Sequence, residues 1–260
     1  VKDISAYHVT GPEHFARGFN LIDSGTDPAA STGIEFGILR LASRDTFQNI
    51  EQARETIYVL LDGAVRVSAG SSTVTAARTS IFETLPWGVR APEKELCRIE
   101  TDDKEAELAV AKARTTYVAE ASIIEPHDLV PGRNFTEPGK DVWNGSFHRI
   151  VRTMFTDGTL TVGETVARSW SSYPPHHHPQ PEIYFYRFDR PQGYAFAEIG
   201  DAAVKVRNNS LTRMVGGVDH SQSCAPGYTE YYLWVILNMA GVKYVGAENA
   251  PEHEWVLRKI

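Results

Sequence analysis

Glu55-Thr-Ile-Tyr-Val-Leu-Leu-Asp-Gly-Ala-Val-Arg-Val67 is dense in β-branched and aromatic side chains and is divided by an Asp62-Gly63 pair. Residues 56–61 and 64–68 read as two strands, because β-branched chains suit an extended, half-buried backbone. An Asp-Gly pair between such runs predicts a tight hairpin turn at Asp62-Gly63. Working outward, residues 34–41, 72–76, 80–83 and 96–100 carry the same short β-rich pattern. Turn residues at 70–72 and 86–88 separate them. Closely spaced short strands of this kind favour a sandwich or barrel.

The style repeats after Glu125-Pro-His-Asp-Leu-Val-Pro-Gly-Arg-Asn-Phe-Thr-Glu-Pro-Gly-Lys140, whose three prolines and two glycines interrupt any strand or helix. Beyond it, residues 147–155, 159–167, 182–188, 193–199, 203–206, 210–215 and 228–238 all read as strands. The expected organisation is all-β, with a barrel over 1–124, a linker over 125–140 and a second barrel over 141–260. Helix is expected at most around residues 13–19, and 46–54 reads as a loop entering the strand at Glu55.

Composition narrows the class of function. The 260 residues are 42% hydrophobic and 23% charged, which excludes disordered and collagen-like chains. The apolar stretch over 231–242 is bounded by Glu230 and Lys243 and falls short of the roughly 20 residues that cross a bilayer. The opening residues carry Lys2, Asp3 and His8 instead of a basic start followed by an apolar run, so the expected location is the cytoplasm. A net charge of -7 without a basic run argues against nucleic acid as a partner. It also means that an acidic ligand must be held locally by particular cationic side chains. Cys97 and Cys224 are isolated in sequence and read as buried free thiols.

The chemistry concentrates in Ser171-Ser-Tyr-Pro-Pro-His-His-His-Pro-Gln-Pro-Glu-Ile-Tyr-Phe-Tyr186. Successive side chains of an extended chain point to opposite faces, so His176 and His178 share one face and His177 points away. Pro179 and Pro181 enforce a tight connection, after which Glu182 opens a strand that can present its carboxylate to the same point. Two imidazoles and a carboxylate suit a divalent metal and leave open positions. The fourth ligand is expected from His220, in the turn Gly216-Gly-Val-Asp-His220. His8, His14, His127, His148 and His253 have no partner at ligand spacing.

His-x-His, a short spacer, Glu and a later His after a glycine turn resemble the cupin metal signature, and tandem β-barrels resemble the bicupin architecture of double-stranded β-helix (jelly-roll) folds. Three segments narrow the resemblance: 162–178, ending Ser-Ser-Tyr-Pro-Pro-His-His-His; 182–194, ending Pro-Gln-Gly-Tyr; and Ala225-Pro-Gly-Tyr-Thr-Glu-Tyr-Tyr-Leu-Trp234. Together they are similar to the 5-deoxy-glucuronate isomerases of myo-inositol catabolism, the KduI/IolB isomerase family, and the likeness extends loosely over most of the chain. It implies an aldose-ketose isomerase acting on a small anionic sugar acid. It also implies one divalent metal per chain, zinc foremost, with manganese, iron or nickel as alternatives.

Two departures bear on the substrate more than on fold or metal. Only three residues separate His178 from Glu182, and the Gly216-Gly217 turn replaces a proline-bearing one. The first half has no histidine between Gly33 and Glu125, so it is expected to be a scaffold or a surface for a homo-oligomer.

Isomerisation moves a proton between C1 and C2 while charge develops on oxygen, which calls for a Lewis acid and a base. Glu182 is a candidate base as well as a ligand. Tyr184 and Tyr186 share its strand face and are candidate donors, with aromatic barrel core as their alternative role. Arg168 and Arg213 are candidates for the substrate carboxylate, ahead of Arg187, which faces away from Glu182. Tyr173, Gln192 and Tyr194 lie in the family-like segments and are candidate substrate contacts. An iron-dependent cupin dioxygenase and a non-catalytic sugar-binding bicupin are the competing readings of the same site.

Overall fold

A computed structural model describes residues 4–131, 133, 148–168, 170–171 and 174–257. Strands dominate these residues, and the helical pieces are three 3-10 segments: Ile4–Tyr7, Pro126–Asp128 and Pro251–Leu257. Among the described residues no helix is long and apolar enough to cross a membrane.

In the first half a nine-stranded sheet runs in the order Ser122–Ile124, Gly88–Ala91, Arg54–Ala69, Ala106–Arg114, Ile34–Leu41 and Gly18–Asp23. Thr46–Asn49, Ser72–Arg78 and Cys97–Glu100 complete it. The predicted hairpin at Asp62-Gly63 does not form. Arg54–Ala69 is one strand of 16 residues whose register shifts between Leu60 and Asp62. Gly63 has φ +93°, and a Cβ there would run into the Glu105 carbonyl. The glycine therefore serves a bulge that bends one long strand, which is how a sheet curls without breaking. Its first part pairs with Gly88–Ala91 and Ala106–Arg114, and its second part with Ser72–Arg78 and Cys97–Glu100. The reversal falls at Gly70-Ser71, where Ala69 faces Ser72.

Further expectations are corrected: Thr46–Asn49, read as part of a loop, is a strand paired with Cys97–Glu100. Residues 80–83 form a turn instead of a strand, and 13–19 form a bend that enters the strand at Gly18. Ala106–Arg114, a central strand, escapes sequence reading because its alanines have low β propensity and its pairing with two neighbours supplies the missing preference.

The second half has two facing sheets. One runs His8–Thr10, Ser210–Met214, Glu182–Phe188, Thr229–Leu237, Leu160–Arg168 and His148–Phe155. The other runs Ala202–Arg207, Tyr194–Ile199, His220–Cys224, His176–His177 and Glu248–Asn249. The chain's first strand thus joins the second-half sheet, beside Ser210–Met214.

Strand parity divides the apolar side chains among three cores. Tyr58 and Leu60 point into the first half, whereas Ile57 and Val59 point between the halves. Tyr184, Tyr186 and Phe188 point into the second half, whereas Ile183 and Phe185 pack against Phe36 and Ile38 between the halves. Strands buried on both faces read as continuous apolar runs, which is the pattern of 56–61 and 183–186.

Candidate metal centre and cavity

The prolines on either side of the histidine run leave a strand of only two residues, His176–His177. His176 is the register partner of His220, so the hydrogen-bonded pair brings the two histidine segments together. The Gly216-Gly217 turn lies against the same loop, with the Gly217 amide donating to the His178 carbonyl at 2.8 Å. Glu182 opens the next strand at the same level.

All three histidines on this face have the same tether. Nδ1 of His176 lies 2.8 Å from the Pro174 carbonyl, Nδ1 of His178 3.0 Å from the Gln180 carbonyl, and Nδ1 of His220 2.8 Å from the Val218 carbonyl. A carbonyl only accepts, so each Nδ1 carries a proton and donates it, which leaves Nε2 as the atom that can serve as a ligand. Nε2 of His178 and of His220 lie 3.1 and 3.2 Å from Oε2 of Glu182. The ligand atoms of His178, Glu182 and His220 all lie within 4.8 Å of one another, and all three residues are buried. His176 stands outside that set, with its ring centroid 4.3 Å from that of His220.

Burial alone would raise the Glu182 carboxyl, but the His178 and His220 contacts outweigh it and hold it down at about 2. Burial, reinforced by His220, pushes the His176 imidazole down to about 3. The group is therefore an ionised carboxylate facing imidazole nitrogens in a buried site. Nε2 of both rings sits against one carboxylate oxygen, an arrangement that a proton on Nε2 satisfies and that a cation among the three groups satisfies equally. The buried Nε2 of His220 has no hydrogen-bond partner. This donor set, two or three imidazoles and one carboxylate, fits a divalent metal such as zinc, manganese, iron or nickel.

Beside the cluster lies a cavity of about 210 Å³, open at one side. Its walls include His176, His178, Glu182 and Tyr184, together with Gln222, Tyr232, Trp234 and Tyr244. The Tyr184 phenol is pushed well above its ordinary value by burial and by the Glu182 carboxylate, so it is a proton donor.

The structure brings together some of the expected site residues and disperses others. His176, His178, Glu182 and Tyr184 line the cavity, and His220 joins His178 and Glu182 in the cluster beside it. His177 points away, as parity requires, and its Nδ1 meets Asp219 at 2.8 Å. Tyr186 is barrel core: its hydroxyl, deeper along the strand face, is shared between Thr212 and Gln222, both at 2.8 Å. Arg213 is not at the cavity. It forms a two-pronged pair with Asp23 at 2.7 and 2.9 Å and also meets Asp27. Arg187 pairs with Glu107 at 2.6 Å. Arg168 and Gln192 are exposed, and Tyr194 packs against Phe196 and Tyr228 away from the cavity. Tyr173 lies outside the described residues.

Sequence reasoning missed Gln222, Tyr232, Trp234 and Tyr244. Strand parity carried the signal for Tyr232 and Trp234, since even-numbered positions of Thr229–Leu237 face the same core as Tyr184. Gln222 carried the same signal, two residues after His220 on its strand. Tyr244 follows the last long strand and had none.

A strand-curled fold with a buried histidine-carboxylate cluster at one end of the second half defines a cupin. It resembles a cupin 2 conserved barrel domain protein from Leptotrichia buccalis, with a TM-score of 0.51 and 10% identity over 86% of this chain and 92% of that one. The sequence matches the KduI/IolB family over residues 9–256, and the chain belongs to that family. A 5-deoxy-glucuronate isomerase of Lacticaseibacillus casei is 25% identical over 96% of this chain and 97% of its own length. An IolB-like protein of Salmonella typhimurium superposes with a TM-score of 0.80 at 20% identity, covering 96% of this chain and 98% of that one.

Proposed function

We propose that this chain is a metal-dependent isomerase of inositol catabolism that converts 5-deoxy-glucuronate, an aldose uronic acid, into the ketose 5-dehydro-2-deoxy-gluconate. The observation that carries the reading is the buried cluster of His178, Glu182 and His220, whose ligand atoms face one another in a chain of the KduI/IolB family. The same reading makes the molecule a bicupin in which 141–260 carry the chemistry and the barrel of 1–124, which has no histidine between Gly33 and Glu125, is the scaffold.

His178, Glu182 and His220, with His176 beside them, would hold a divalent metal, which when bound would supply Lewis-acid polarisation of the substrate carbonyl. The chain's own contribution is positional. The three backbone carbonyls at Pro174, Gln180 and Val218 lock the imidazoles in one tautomer, so the ligand atoms are set before substrate arrives. Tyr184 retains its proton and can donate it to a substrate oxygen on which charge develops. Glu182, held ionised at about 2, is a weak base and a good ligand, which favours the second of its two expected roles. The aromatic wall of Tyr232, Trp234 and Tyr244 excludes water from the reacting end.

Elemental analysis of the tag-free protein beside a His176→Ala, His178→Ala variant, coupled to a 5-deoxy-glucuronate isomerisation assay, tests this directly. About one zinc or manganese per chain, lost in the variant together with turnover, is the expected result. Iron together with oxygen consumption favours a dioxygenase. A protein that takes up no metal from zinc, manganese or iron overturns the mechanism and leaves a binding bicupin.

A further inference from the structure

One strand beside the cavity, to which it contributes Thr165, carries small residues on its inward face. On Leu160–Arg168 the positions facing the second core are Thr161, Gly163, Thr165 and Ala167, and they sit opposite Ile236, Trp234, Tyr232 and Glu230. Gly163 is the narrowest point. A Cβ there would collide with Cζ2 and Cη2 of Trp234, so the six-membered part of the indole lies directly on the glycine backbone. Trp234 is also the register partner of Tyr184 on its other side. Gly163, Trp234 and Tyr184 thus form one row across the sheet, and Thr161, Ile236 and Glu182 form the next. Two residues along a strand separate these rows by about 7 Å.

Trp234 is only partly buried and lines the cavity, so one side of its ring is backed by Gly163 and another faces the space where substrate would lie. With the reacting C1–C2 end at Glu182, the remaining carbons of a six-carbon acid reach this second row. An indole face accepts C–H groups and offers no partner to a hydroxyl, which would lose its hydrogen bonds to water there.

We infer that Trp234, seated on Gly163 one row beyond Glu182, is the specificity-determining wall of the site: it packs against the deoxygenated C5 methylene and selects a 5-deoxy uronic acid over its 5-hydroxylated counterpart. The inference rests on the isomerase reading above and assigns the selection to a single side chain.

The test measures kcat/KM for 5-deoxy-glucuronate and for glucuronate in the metal-loaded wild type and in Trp234→Phe, Trp234→Gln and Gly163→Ala. Metal content and thermal melting are recorded for each. Trp234→Gln removes the apolar face from the C5 methylene and offers the extra hydroxyl of glucuronate a partner, so the preference for the deoxy acid is expected to fall about tenfold or more, through a higher KM for the deoxy acid and a lower one for glucuronate. Trp234→Phe keeps an apolar face and most of the preference. Gly163→Ala displaces the indole without removing it and lowers the preference as well, which keeps the test alive if Trp234→Gln does not fold. A preference unchanged within about twofold in Trp234→Gln or Gly163→Ala protein that retains its metal overturns the inference while leaving the isomerase reading intact. A metal-loaded wild type that turns over neither acid overturns the isomerase reading and this inference with it.

Discussion

Arg78 and Glu164 form a two-pronged ion pair at 3.0 and 2.7 Å in which both side chains are completely buried, and it ties the first half of the chain to the second. Arg152 donates to the same carboxylate at 2.7 Å, and the Tyr231 hydroxyl donates at 2.9 Å. The terminal guanidinium nitrogens of Arg78 and Arg152 also donate to the carbonyls of Leu60, Ile81 and Thr84. The network lies beside the apolar core between the halves, where Val162 and Val166 flank Glu164 on the same strand face.

Removing the shared anion leaves two buried guanidinium groups without a counter-charge. Glu164→Gln is expected to lower unfolding stability by about 3–5 kcal/mol, read from urea denaturation. Arg54→Ala, which breaks the partly exposed pair with Glu35, is expected to cost less than about 1 kcal/mol in the same measurement. Equal losses in the two variants would refute a special role for the buried network.

Glu230 faces the second core with neither carboxylate oxygen hydrogen-bonded, and burial pushes it up from 4.5 to about 8. A folded-state value above the unfolded one means that the unfolded chain releases this proton first, so the group destabilises the fold progressively as pH rises from about 4.5 to 8. The full effect is at most on the order of 5 kcal/mol. Glu230→Gln is therefore expected to be more stable than wild type at pH 9 and nearly equal to it at pH 4.5. Urea midpoints at the two pH values decide, and a gap independent of pH would contradict the assignment.

His177 and His178 are adjacent, yet only His178 faces Glu182. His178→Ala is expected to weaken zinc binding more than about a hundredfold. His177→Ala, which removes only the outward contact with Asp219, is expected to change it by about tenfold or less. Competition against a chromogenic chelator measures both, and a larger loss in His177→Ala would invert the proposed geometry.

Arg213 offsets a buried carboxylate, that of Asp23, on the face of the sheet opposite to the cavity. Arg213→Ala is expected to cost about 3 kcal/mol of stability while leaving KM for the sugar acid within about twofold of wild type. A rise in KM without loss of stability would return Arg213 to substrate binding.

How much was legible before the fold was known follows from the range of each signal. The His176/His178 pairing, the outward His177 and the shared face of Glu182 and Tyr184 are consequences of a two-residue period. The metal cluster was readable for that reason, and so were most strands with β-branched chains. Ala106–Arg114 was not readable, because its alanines state no preference and it is a strand only through pairing with Ile34–Leu41 and Arg54–Ala69. Asp62-Gly63 misled because a hairpin turn and a bulge both require a residue that tolerates positive φ, and local sequence does not distinguish them.

The sequence by itself determined which side chains alternate, where the prolines and glycines interrupt, and hence that histidines and a carboxylate could meet at one point. Tertiary structure alone decided what each arginine does: Arg213 finds Asp23 and Arg78 finds Glu164, partners 190 and 86 residues away. It also decided that Trp234 lies on Gly163, through a strand register set by the whole sheet. Facing direction is a local property of an extended chain, whereas a charge or an aromatic ring acquires its role from whichever group the completed fold places against it.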